Sequence, residues 1–166
     1  ILSLSAREGH DVVGDWSFNL FRRQHHDKFL SSFDKLGLTG LPDAVASARY
    51  HYLSNRIGGV DVEYVEESDT KAWIRFPHPR WIYMGTAICG IPDTVGHGYI
   101  RGWYGHNGVS LQNPNLGFVC TSQDTHTGYG FAGYFMEYDY TLSTDDRARF
   151  FAGEIMPKFD PDQISA

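Results

Sequence analysis

The chain has 166 residues, of which 42% are hydrophobic and 20% charged, and its formal net charge is -6. This is enough for one domain with a sizeable core, and too hydrophobic for a disordered chain. Lys and Arg are dispersed, with Arg22-Arg23 the one adjacent basic pair, which excludes the basic face of a nucleic-acid binder, and no apolar run approaches the ~18 residues of a membrane span.

The first residues, Ile1 to Ala6, lack the basic and long apolar regions of a signal peptide. The absence of an initiator Met leaves room for residues upstream. Residues 15 to 36 read as a helix, because Leu20, Phe21, His25, Phe29, Phe33 and Leu36 recur near the helical period. Asp15 is placed to cap it and Gly37 to end it in a left-handed conformation. After the turn at Gly37 to Gly40, Pro42 suits the first turn of a second helix. Val45, Ala48, Tyr52 and Leu53 form its stripe and Gly58-Gly59 its stop. The two helices are expected to form a helical hairpin.

The period then changes to two. Val60, Val62 and Tyr64 alternate with acids, and Trp73 to Phe76 continue as a second, antiparallel strand that ends at Pro77 and Pro79. Between Gly85 and Gly133 lie 11 of the 18 glycines, while Asp93, Arg101 and Asp124 are the formal charges of that segment. Pro92 and Asp93 are placed to open a short helix toward Trp103. Asn107 to Asn115 reads as a loop, Leu116 to Ser122 as a strand and Tyr129 to Leu142 as a long strand. Ser143 to Asp146 are placed to cap a last helix at Arg147 to Glu154. The expected architecture is a single α+β domain over residues 1 to 166. Its N-terminal helical hairpin would pack on an antiparallel sheet built from two β-hairpins.

The chemistry-bearing residues concentrate in the neutral, glycine-rich segment. His97, His106 and His126 are candidate ligands of a divalent metal, three imidazoles with an open position being a catalytic arrangement. Their spacing matches no compact metal motif. His25-His26 diverge on a helix and cannot readily share a metal. Cys89, before a helix start, is a candidate nucleophile, and Cys120 reads as a buried thiol in a strand. With two cysteines there is no disulfide scaffold, and a reducing, cytoplasmic compartment is expected. Glu137 and Asp139 share one strand face, as an acid–base pair or a solvated edge. Asp93 is either a catalytic acid or a helix cap. Arg101 suits a substrate carboxylate, with Tyr99, Trp103 and Phe131 as aromatic walls of the pocket. Neither a dinucleotide fingerprint nor a serine nucleophile elbow is present.

Two stretches carry a family likeness. Asn55-Arg-Ile-Gly-Gly-Val60 leads into the acidic hairpin Val65-Glu-Glu-Ser-Asp-Thr-Lys71, and Leu116-Gly-Phe-Val-Cys120 pairs with Gly130-Phe-Ala-Gly-Tyr134. This element order resembles the L-2-amino-thiazoline-4-carboxylic acid hydrolases and the related vinyl-4-reductase domains. It departs from them where members carry cysteines, since no Cys follows the second strand until Cys89 and none lies in the last strand. The resemblance implies a small-molecule pocket and amidine or amide hydrolysis. The reading that follows is a hydrolase acting on a C–N bond of a compact polar substrate, with His97 as general base or metal ligand. The alternative is a non-catalytic small-molecule-binding or sensor domain of vinyl-4-reductase type, forming a homo-oligomer through its first helices.

Overall fold

A computed structural model describes residues 1–78, 91–123 and 130–164. Helices α1 (Leu2–Glu8) and α2 (His10–Lys28) are separated at Gly9, whose φ of 93° breaks the helical path. The inward face of α2 is Val13, Ser17, Phe21 and His25, all buried and spaced four residues apart. The helix thus starts before Asp15 and stops at Lys28, where Phe29 is buried and a short 3-10 turn, Leu30–Ser32, leads into α3 (Phe33–Leu36). Gly37 ends α3 in the left-handed conformation that the sequence suggests.

Helix α4 (Asp43–Ile57) starts after Pro42 and lies on the sheet against β1 (Glu63–Ser68), β2 (Lys71–Phe76) and β4 (Phe131–Glu137). The principal partner of α2 is α5 (Asp93–Trp103). Glycines explain that pairing. A Cβ on Gly98 would collide with the Gly14 carbonyl oxygen, and one on Gly102 with that of Phe18, so these glycines let the two backbones approach. The short α6 (Asn107–Ser110) occupies part of the expected loop.

The sheet is ordered β1-β2-β4-β3-β5, with β3 at Leu116–Ser122. The two hairpins are antiparallel and join through an antiparallel β2–β4 pairing. The architecture is therefore α+β, with the N-terminal helices and both hairpins in place. Residues 147 to 154 do not form the expected helix. Asp145–Arg147 is a 3-10 turn, and Ala148–Phe150 is β5, which pairs parallel with β3. Pairing with β3 satisfies the backbone of this segment and buries Ala148, which a short capped helix would not do as fully. The last long strand ends at Glu137, because the Tyr138 and Leu142 amides turn to the Asn115 and Pro114 carbonyls. Asp139 therefore leaves the strand and is exposed.

Nearly every residue of β3 and β4 is buried, since both faces of the sheet are covered. One face carries Ile74, Phe76, Phe118, Phe131 and Phe135 toward α4 and α5. The other carries Trp73, Val119 and Tyr134 toward Met156 of the C-terminal segment. Among the described residues no helix is long and apolar enough to cross a membrane.

Candidate functional site

A cleft of about 450 Å³ opens between α2, α5, α6 and the approach to β5. That volume suits a compact small molecule. His97, Arg101 and His106 line it, together with Arg147 and the acids Asp11, Asp15 and Asp145. Helical geometry brings the first two together, because residues four apart share a face of α5. The His97 ring lies 4.1 Å from that of Phe150, and the Arg101 guanidinium lies 5.6 Å from the same ring. Arg101 forms no ion pair among the described residues.

Arg147 is the least expected member. Its Nε is buried and has no hydrogen-bond partner among the described residues. A buried donor without an acceptor costs about 1–3 kcal/mol, and Arg147 is the cleft-lining residue that carries one. His106 stands in the same positive field. Burial first, then the charges of Arg22, Arg147 and His26, hold its pKa below the ordinary imidazole value.

Behind His106 the interior is polar. The rings of His25 and His106 meet edge to face at 5.5 Å. His25, His51 and Asn107 are fully buried. The Trp103 indole N–H donates to His51 Nδ1 at 3.1 Å. An indole cannot accept, so that nitrogen is bare and the neutral ring carries its proton on Nε2. The proton points to Asn107 Oδ1 at 3.4 Å, which also accepts from His25 Nε2 at 2.7 Å. The Ser110 hydroxyl donates to His25 Nδ1 at 3.4 Å. The Asn107 amide nitrogen also lies 3.1 Å from His51 Nε2, and hydrogen bonding to Asn107 opposes the His51 shift that burial causes. Burial is the main cause that pushes His25 down to about 3 and His51 well below its ordinary value, and their mutual repulsion adds to the His51 shift. Both rings are neutral at physiological pH. His51 also stacks on Phe135, 5.4 Å between centroids with planes 3° apart.

The residues grouped in the sequence reading therefore separate. His97, Arg101 and His106 line the cleft. Trp103 instead belongs to the buried histidine network. Tyr99 packs edge to face on Phe21 at 4.2 Å. Phe131 is fully buried among Tyr104 and Phe118 in the core. Asp93 begins α5 and is exposed. Cys89 and His126 lie outside the described residues. Cys120 is buried, and its thiol donates to the Ser122 carbonyl at 3.4 Å. Among the described residues no group of three or more His, Cys, Asp or Glu side chains is arranged to hold a metal ion. Sequence reasoning missed His51, Asn107 and Arg147. A signal existed for the network, since His25 occupies an apolar position of its helix, but none existed for Arg147, whose burial depends on the fold.

The chain matches no known protein family, no curated protein and no solved structure.

Proposed function

We propose that this domain binds a compact organic anion in the cleft, with a carboxylate seated against Arg147, Arg101 and His106. The observation that carries this reading is the buried, unpartnered Nε of Arg147 beside a half-buried imidazole. An arginine edge presents parallel N–H donors that match a carboxylate. The reading takes up the small-molecule-binding alternative and extends the anion-holding role given to Arg101. His106 favours a second reading, hydrolysis of a C–N bond in the same ligand. A histidine held neutral at pH 7 can take a proton from water as the oxygen attacks carbon. The C–N bond then breaks, and the nitrogen leaves with a proton as ammonia or an amine.

One experiment tests both. Small carboxylates, with and without amide or amidine groups, are titrated by calorimetry against the wild type and Arg147→Met, and the same mixtures are assayed for released ammonia. Binding that weakens about tenfold or more in Arg147→Met, as the loss of a charge-assisted hydrogen bond requires, supports the site. Unchanged binding removes Arg147 from it. Ammonia released by wild type and lost in His106→Gln supports the hydrolase, and tight binding without turnover leaves a binding or sensor domain.

A further inference from the structure

The cleft holds charges of both signs that do not pair with one another. Asp11, Asp15 and Asp145 line it together with Arg101 and Arg147. None of the five forms an ion pair among the described residues. On the sheet such groups do pair. Arg75 meets Glu63, Lys71 meets Glu67 and Glu154, and Arg149 meets Asp146. Opposite charges held apart in one cleft are complementary to a ligand that carries both.

The two helices set the spacing of those charges. Helices α2 and α5 run side by side in the same direction, because the Thr94 hydroxyl donates to the His10 carbonyl, while Cβ atoms on Gly98 and Gly102 would meet Gly14 and Phe18 in turn. Asp11 and Asp15 therefore stand level with the first half of α5. Arg101 lies near the far end of α5. Arg147 belongs to that end as well, since a Cβ on Gly105 would lie 3.4 Å from its carbonyl oxygen. The acids of α2 and the arginines are thus one to two helical turns apart, about 5–11 Å along the axis. Asp145 precedes Arg147 by two residues without pairing with it. With three acids facing two arginines, a simple carboxylate gains from one end of the cleft and is repelled by the other.

We propose, on the basis of the anion-binding reading above, that the ligand is a zwitterion, an ω-amino acid whose carboxylate sits against Arg147 and Arg101 and whose ammonium sits against Asp11 and Asp15. An α-amino acid carries both charged groups on one carbon and is too short to reach the two ends. A chain of the length of δ-aminopentanoate or ε-aminohexanoate spans them, and a cleft of about 450 Å³ has room for it.

Calorimetry on the full chain tests this with ligand pairs that differ by the amino group alone. The pairs are δ-aminopentanoate and pentanoate, ε-aminohexanoate and hexanoate, and glycine and acetate. The two long amino acids are expected to bind at least about tenfold more tightly than their plain partners, and glycine no more tightly than acetate. In the double variant Asp11→Asn with Asp15→Asn the advantage of the amino group is expected to fall below about threefold, with the thermal midpoint showing that the variant is folded. The chain-length comparison uses the wild type alone, so it decides even if the substitutions unfold the protein. Amino and plain acids that bind alike, both weakened in Arg147→Met, overturn the zwitterion and leave the anion site standing. No binding of either kind overturns both. An amino-group advantage that is largest for glycine, or that survives in the folded double variant, overturns the assignment of the ammonium to Asp11 and Asp15.

Discussion

Asn107 joins two buried histidines through one amide group. Its Oδ1 lies between two imidazoles that burial keeps neutral, and the Trp103 indole fixes the tautomer of one of them. The consequence for stability follows from the sign of the shifts. His25 titrates near 6.5 when unfolded and near 3 when folded. The unfolded chain therefore takes up protons first, and the stabilisation present above pH 6.5 is lost as pH falls toward the folded value. His51 and His106 shift in the same direction. For the two fully buried rings together the loss between pH 7.5 and 5.5 is expected to be about 2–3 kcal/mol, since each pKa unit is about 1.4 kcal/mol. Urea unfolding at the two pH values measures it. His25→Phe should remove about half of that difference whatever it does to stability at pH 7.5, and an unaltered pH dependence would show that the ring is not buried neutral. The sequence placed His25 on the apolar stripe of its helix, which was legible as burial. Its partners were not, because His51 and Asn107 reach it across 26 and 82 residues of chain.

At the scale of elements, the α2–α5 crossing decides the shape of the cleft. The expected helix from Asp93 to Trp103 is present with those bounds. What sequence reasoning mixed was its faces. Tyr99 and Trp103 flank Arg101 by two residues each, and on a helix a two-residue step turns about 200°. They therefore point to Phe21 and His51 while Arg101 and His97 point to the cleft. The glycines of the same segment, set aside as a phosphate cradle, serve helix contact instead. Gly98→Val is expected to cost about 1–3 kcal/mol or more by forcing α2 and α5 apart, read as a fall in the urea midpoint. A variant as stable as the wild type would refute close packing at Gly98. The α4 start and stop at Pro42 and Gly58-Gly59 were legible because capping and left-handed turns are local.

Over the whole molecule, the C-terminal segment closes the second face of the sheet. Met156 is buried against Trp73, Val119 and Tyr134. Glu154 accepts from the Tyr134 hydroxyl at 2.5 Å and pairs with Lys71 at 2.8 Å. Those two hydrogen bonds hold its carboxyl below the usual range, Lys71 contributing most. The Glu154 side chain is largely exposed, so the apolar contact carries the attachment and the ion pair little of it. Met156→Ala is expected to destabilise by about 2–4 kcal/mol, and Glu154→Gln by less than about 1 kcal/mol. Thermal unfolding ranks the two, and the reverse order would assign the attachment to electrostatics. β5 belongs to the same closure, its parallel pairing with β3 covering an edge that would otherwise be open.

The amino-acid sequence by itself determined the α+β class, the two hairpins, the second helix and α5, because each rests on local periodicity and on Gly, Pro and Asp punctuation. It also held the concentration of histidine and arginine around α5 from which the cleft is drawn. Only the tertiary structure decided which of those side chains meet. The approach of α2 to α5, the parallel β5 and the burial of Arg147 Nε all join parts of the chain far apart in sequence, and contacts of that range leave no periodic trace along it.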